Sequence, residues 1–177
     1  MKKTLVISGS PRKGGNSDIL CDEFARGALE SGNQVEKIWL GEKNINFCKA
    51  CYYCRDRHVC FQKDDVKEIL DKMLEADVIV MATPVYFYSI DAQMKALIDR
   101  TLPIWESIHD KDFYFIISSA EEDKEIQLRT LECFRGFLDC LEDVREKGVI
   151  HATGVYEKGE VESSVFMKQA YEMGKAI

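Results

Sequence analysis

The sequence predicts an α/β protein: a doubly wound, five-stranded parallel sheet in the order 2-1-3-4-5, with helices on both faces. Three observations predict it. Four short runs, 4–8, 78–82, 113–118 and 149–155, are rich in Val, Ile and Phe and do not alternate, as strands covered on both faces read. A fifth run, 34–40, alternates more and suits an edge strand. Amphipathic helical patterns stand between the runs, which is the signature of parallel strands joined by crossovers.

The elements follow in order. Ile19, Phe24, Ala28 and Leu29 mark the apolar face of a helix that begins near Asn16 or Ser17. Val66, Ile69, Leu70, Met73 and Leu74 mark a second, and Asp65 with Glu68 reads as its capping box. Met94, Leu97, Ile98 and Leu102 mark a third, with Ser89 and Asp91 suiting its first turn. Helical patterns also cover 124–142 and 161–176. No repeat, low-complexity segment or linker appears, so residues 1–177 read as one domain. The one irregularity is a connection at 41–63 holding four of the seven cysteines, and a loop of that length in a compact domain is usually functional.

Almost half of the residues are hydrophobic, which argues against disorder. The net charge of −7 argues against a nucleic-acid partner bound through bulk charge. No apolar run has the length of a membrane span, and the N-terminus lacks the apolar core of a signal peptide. The expectation is a cytoplasmic protein with neither a nucleic-acid nor a membrane partner. In a reducing compartment its cysteines are buried, metal-bound or redox-active rather than disulfide-bonded.

Two stretches carry the site. "GSPRKGGNS", residues 9–17, leaves the first strand and opens the first helix. In an open parallel sheet ligands bind at the carboxyl ends of strands, where the order switches. A helix N-terminus there offers unpaired N–H groups to an anion. Gly14 and Gly15 let the backbone bend, Ser10, Asn16 and Ser17 can donate hydrogen bonds, and Arg12 can neutralise charge. The stretch is neither a Walker A loop nor a Gly-x-Gly-x-x-Gly turn. A plain Ser/Asn-capped turn is the competing reading. "TPVYFYSIDAQMKALIDR", residues 83–100, leaves the third strand beside it. Thr83 and Pro84 lead into Val85, Tyr86 and Phe87, which are bulky where a loop should be polar. They suit a flat apolar ligand, or else a neighbouring loop or subunit.

Together these stretches resemble the NADPH-dependent FMN reductase family of the flavodoxin-like superfamily, over roughly residues 1–120 and beyond that only in topology. The resemblance implies that Ser10, Arg12, Gly15, Asn16 and Ser17 cradle the FMN phosphate. It implies that Thr83, Pro84, Val85, Tyr86 and Phe87 flank the isoalloxazine. Ser118 and Ser119 fall where a third flavin-contacting loop lies, although an acidic run, Glu121-Glu122-Asp123, follows instead of glycines. NAD(P)H as donor is implied by the resemblance alone.

"CKACYYCRDRHVC" spaces Cys48, Cys51, Cys54 and Cys60 as C-x2-C-x2-C-x5-C. Four thiolates match the ligand count of a [4Fe–4S] cluster, and the spacing resembles the compact motif of iron–sulfur flavoproteins, a branch of the same family. Zinc and uncoordinated thiols are the alternatives. Lys49, Arg55 and Arg57 among them predict depressed thiol pKa values. Tyr52 and Tyr53 could shield a cluster, extend over the flavin or pack in an interface, and His58 reads as a spare ligand or an exposed loop residue. Cys21, Cys133 and Cys140 read as core cysteines, and His109 and His151 carry no assigned chemistry. Asp99-Arg100 resembles the family's Asp-Arg pair, and reads equally as a helix-end ion pair or a subunit contact.

The expected function is an FMN-dependent oxidoreductase that takes electrons from NAD(P)H and passes them to a small acceptor or to an iron–sulfur cluster. The acceptor would be a quinone, an azo or nitro compound, or a flavin. The cofactor carries the chemistry, so no catalytic acid or base is expected. Two other classes stand beside it: an iron–sulfur flavoprotein exchanging electrons with ferredoxin-like partners, and a cysteine-based redox or metal sensor. A homodimer or homotetramer is expected, because exposed aromatics often mark interfaces.

Overall fold

The protein is described by a computed structural model covering Met1–Ile177. Its strands are β1 (Lys3–Ser8), β2 (Gln34–Trp39), β3 (Val78–Pro84), β4 (Asp112–Ser118) and β5 (Arg145–Ala152). Its helices are α1 (Asn16–Glu30), α2 (Val66–Glu75), α3 (Ala92–Asp99), α4 (Leu128–Leu138) and α5 (Val165–Lys175). The sheet runs β2-β1-β3-β4-β5, and every pairing is parallel. β3 and β4 are buried along their whole length because helices cover both faces.

Two cores flank the sheet. On one face Ile7, Ile79, Met81, Phe115 and Phe134 pack with α2, α3 and α4, and the Phe115 and Phe134 rings stack at 4.6 Å. On the other, Val6, Val80, Phe24 and Ile116 pack with α1 and α5. Those two helices touch at bare backbone: a Cβ on Gly174 would lie 2.0 Å from the Phe24 carbonyl oxygen, and one on Gly27 would lie 2.1 Å from that of Tyr171.

Several boundaries correct the sequence reading. The last strand starts at Arg145, because an edge strand tolerates the polar residues 145–148 on its open side, and it ends at Ala152. The pattern at 124–142 divides into a 3-10 turn, Lys124–Gln127, followed by α4. The pattern at 161–176 begins as a 3-10 turn, Glu160–Ser163, and Ser164 then caps α5 by accepting from Phe166 N. The third helix stops at Asp99, short of Leu102. The capping box does not form: Asp65 is already helical in conformation and its carboxylate accepts from Asn44 N at 2.7 Å. Asp91 does cap α3, accepting from Met94 N.

Candidate functional site

The exits of β1, β3 and β4 open at one edge of the sheet, and each holds its neighbour. Gly9 N donates to Ala82 O at 2.8 Å, and a Cβ on Gly9 would lie 2.3 Å from an Asp91 carboxylate oxygen. Val85 N donates to Ser118 O at 2.8 Å. Val155 N closes onto Ser119 O, and Gly154 N onto Glu121 O, both at 2.9 Å. Elsewhere along the chain, no helix is long and apolar enough to cross a membrane.

The first exit leads directly into the open N-terminus of α1. Gly14 takes the left-handed conformation at φ 66°, which glycine adopts without strain. Asp18 fixes that turn by accepting from Gly14 N at 2.8 Å, and Lys37 Nζ pairs with Asp18 at 2.8 Å. Burial pushes the Asp18 carboxyl up, but Lys37 and the Gly14 N–H hold it below its ordinary value. No side chain caps α1, and its first turn closes with Ile19 N on Gly15 O. The N–H groups of Asn16, Ser17 and Asp18 therefore point out of the helix end without backbone acceptors. The Ser17 hydroxyl beside them is buried and has no partner. Gly15 is required for space, since a Cβ there would come 2.8 Å from Ser10 Oγ.

The other proposed cradle residues have different tasks. Ser10 Oγ turns inward, donating to Arg12 O and accepting from Arg12 N. Asn16 reaches across to the β5–α5 connection: its Nδ2 donates to Glu157 O, and its Oδ1 accepts from Gly159 N and Val161 N. Asn16 thus shapes the wall. Arg12 lies on the surface, with Nη2 donating to Tyr156 O at 3.3 Å. That same connection brings Lys158 over the cradle, its Nζ 3.5 Å from where a Gly14 Cβ would be. The sequence reading did not include Lys158. Its only local signal is the turn glycine that follows it, Gly159, at φ 90°.

The second exit presents aromatics. Tyr86 and Ser89 exchange backbone hydrogen bonds at 3.0 Å around Phe87 and Tyr88. Both central residues are left-handed, at φ 50° and 61°. A type I′ turn needs that conformation and normally takes Asn or Gly there. Phe87 is wholly exposed at its tip. Strain of this kind, about 1–3 kcal/mol per residue, persists where surrounding structure enforces it and clusters at binding sites. Thr83 is internal: its hydroxyl donates to Asp91 Oδ2 or Pro84 O and accepts from Asp91 N. Thr83 supports the turn from below.

At the third exit Ser118 and Ser119 are buried. Ser119 Oγ donates to Glu121 O and accepts from Gln127 Nε2, while Gln127 Oε1 faces His151 Nδ1 at 2.9 Å. The His151 imidazole is lowered to about 4, by burial first and then by Lys124 and Arg135. The unfolded chain, with an ordinary histidine at 6.5, takes up the proton first as pH falls. Stability therefore declines as pH drops from 6.5 towards 4. Urea midpoints across that window should fall for the wild type and stay flatter for His151→Gln. An equal fall in the variant would assign the decline to other groups.

No three His, Cys, Asp or Glu side chains form a group that could hold a metal ion, the four loop thiols included. As folded, Cys48 and Cys51 are exposed and Cys54 and Cys60 half-buried, so the loop does not present an assembled ligand set. The Cys54 thiol is pushed up, by burial first and then by Cys60, Cys48 and Cys51. The basic residues do not reverse this, and the Arg57 guanidinium stacks on the Tyr53 ring instead, at 4.5 Å. Cys21 is a core cysteine, but Cys133 is half-buried at the margin of the core, and Cys140 is exposed because it lies past the end of α4 in the turn that follows. Asp99-Arg100 is not an ion pair: Asp99 binds Lys95, whereas Arg100 turns inward to Asp64.

Comparison with known proteins gives a consistent picture. The family described as NADPH-dependent FMN reductase matches over residues 2–138. An iron-sulfur flavoprotein of Methanocaldococcus jannaschii is 44% identical over 102 residues, 58% of this chain and 53% of the relative. One from Archaeoglobus fulgidus is 41% identical over 101 residues, 57% of this chain and 46% of the relative. The chain spans about half the length of these curated relatives. Among solved structures, an NAD(P)H:quinone oxidoreductase from Methanothermobacter marburgensis superposes with a TM-score of 0.75 at 15% identity. It matches 98% of this chain and 94% of its own, and shares the fold.

Proposed function

The chain belongs to the NADPH-dependent FMN reductase family, and from that premise we propose that it binds FMN at the β1, β3 and β4 exits and works as an NAD(P)H-dependent oxidoreductase. Residues 1–177 would form one FMN-binding unit, with 41–63 as its insertion. The observation that carries this reading is the buried Ser17 hydroxyl. It has no partner in the protein and stands among the open N–H groups of α1. A buried polar group left unpaired is costly, and a phosphate oxygen satisfies it while gaining from the helix dipole.

The chemistry FMN supplies when bound is acceptance of a hydride from NAD(P)H and onward delivery of the electrons. The chain's own residues bind and orient. The α1 N–H groups and Ser17 hold the phosphate, and Arg12 and Lys158 balance its charge. Asp18 and Lys37 keep the Gly14 turn in shape, and Asn16 closes the 157–161 wall over it. Val85, Tyr86 and Phe87 offer apolar surface for the ring, while Thr83 and Asp91 fix the angle of their turn. A quinone or an azo or nitro compound fits the open aromatic edge as acceptor.

Ser17→Ala should weaken FMN binding by about tenfold or more, since hydrogen bonds to charged groups contribute about 1.5–3 kcal/mol. Quenching of FMN fluorescence on titration reads this directly. Equal affinity in the variant would remove Ser17 from the cradle and with it the reading.

A second reading gives Cys48, Cys51, Cys54 and Cys60 an iron–sulfur cluster, and the protein an electron-carrier role toward ferredoxin-like partners. The thiol spacing favours it, as do curated relatives named iron-sulfur flavoproteins. The loop would first have to draw the thiols together. Iron and sulfide analysis of protein purified without oxygen decides between the readings: stoichiometric iron and sulfide support the cluster, and FMN alone supports the simple reductase.

A further inference from the structure

The segment that carries the four loop cysteines is closed at its base. Asn44 and Asp65 bind each other through Asp65 N to Asn44 O and Asn44 N to Asp65 Oδ2. Asn46 N and Nδ2 both donate to Asp64 Oδ2 at 3.1 Å, and Gln62 Nε2 donates to Phe47 O at 3.2 Å. Residues 48–61 are thus the head of an Ω-loop whose neck is 44–47 against 62–65. The head contains Ala50, Tyr52 and His58 in the left-handed conformation, at φ 47°, 56° and 51°. Strain is concentrated in the head and hydrogen bonding in the neck.

One side chain from outside the loop enters that neck. Arg100, just past α3, is 2% exposed, and its partner Asp64 is 1% exposed. Nη1 donates to Asn46 O at 2.5 Å and to Asp64 Oδ2 at 2.7 Å, and Nη2 donates to Asp64 Oδ1 at 3.0 Å. Its Nε is buried without a partner. Cys60 lies close enough to act on the guanidinium: burial opposes the Arg100 charge, while Asp64 and then Cys60 favour it. Burial likewise pushes the Asp64 carboxyl up, yet Arg100 and Asn46 hold it below its ordinary value. An arginine buried this deeply, touching both strands of a neck, does more than a surface ion pair.

We propose that Arg100 is the positioning residue of the cysteine loop: it locks the neck through Asn46 and Asp64 and sets where Cys60 stands relative to the body of the protein. The neck is fixed by its own hydrogen bonds, whereas the left-handed residues lie in the head, so the head, 48–61, is the part that rearranges about that base when the thiols are used. The inference goes beyond the FMN reading and does not depend on it.

The test is thiol labelling with iodoacetamide, followed by peptide mass spectrometry on the full chain without added cofactor. Cys133, on α4, and Cys140, just past its end, serve as internal references. In Arg100→Gln, labelling of Cys60 relative to Cys140 should rise about tenfold or more, because one partner removed from a buried ion pair leaves the other uncompensated and favours local opening. Arg100→Lys should fall between, since lysine keeps the charge but cannot span both acceptors. Asp64→Asn should reproduce the effect, and the double substitution should add nothing further. Three results would overturn the proposal: an unchanged Cys60 ratio in folded variants, an equal rise at Cys133 and Cys140, or global unfolding of both Arg100→Gln and Asp64→Asn. The last would mean that the pair holds the domain rather than the loop.

Discussion

Gly174→Ala should lower stability by about 3 kcal/mol or more and loosen the FMN cradle at the same time. The new methyl would stand 2.0 Å from the Phe24 carbonyl oxygen and 3.1 Å from Ala28 N. Both obstacles are backbone, so no rotamer change relieves the overlap, and α5 must move away from α1. That movement breaks the seam between them, where Tyr171 Oη donates to Glu30 at 2.6 Å and Arg26 stacks on the Tyr171 ring at 4.1 Å. The α1 N-terminus is the proposed cradle, and Asn16 ties it to the connection that leads into α5. For a domain of this size the melting temperature should drop about 6–12 °C. Thermal unfolding by circular dichroism measures it. A loss below about 1 kcal/mol would show that the helices can separate freely and that the close approach is incidental.

Asp91→Ala and Asp91→Asn should behave very differently. Asp91 is fully buried, caps α3 through Met94 N at 2.8 Å and accepts from Thr83 Oγ1 at 2.7 Å. Alanine removes the cap, worth about 0.5–2 kcal/mol, and strands a buried hydroxyl, worth about 1–3 kcal/mol. A combined loss near 3 kcal/mol is expected. The 85–90 turn should also lose its support, and FMN affinity should fall with it. Asparagine keeps an acceptor for Met94 N, and Thr83 can turn its hydroxyl to Pro84 O. Burial pushes the Asp91 carboxyl up, so the ionised form is disfavoured in the fold. The sign follows: between 3.8 and the raised folded value the native state holds the extra proton, and wild-type stability falls as pH rises through that window. Asp91→Asn should lack that dependence and sit within about 1 kcal/mol of the wild type at neutral pH. Equal damage from both substitutions would show that the charge itself is needed.

The sequence revealed most where the chemistry is local. β1, β3 and β4 were legible because two covered faces leave only apolar residues. β5 was misplaced because its edge admits Arg145, Glu146 and Lys147. The shape of the β1 exit was legible from its glycines, since a strand followed at once by a helix start needs a tight turn, and Gly14 takes the left-handed conformation there. What escaped was set by distant partners. Asn16 binds residues more than 140 positions away. Arg100 meets Asp64 across 36 positions, and nothing beside it in the chain announces that partner. Lys158 reaches the cradle only because α5 packs on α1. The thiol spacing predicts a ligand set, but spacing does not fix the backbone, and left-handed residues, Ala50, Tyr52 and His58, stand between the cysteines where the sequence gives no sign of them.

The closed neck beneath the cysteines gives the chain an interchangeable part. Its two sides meet at Phe47 and Gln62, so a short turn could bridge them in place of fourteen residues of head. Sheet register, α2 and the β1, β3 and β4 exits all lie outside that exchange. A scaffold arranged in this way can acquire, discard or retune its cysteine-bearing head without redesigning the sheet edge, and each part is free to change at its own pace.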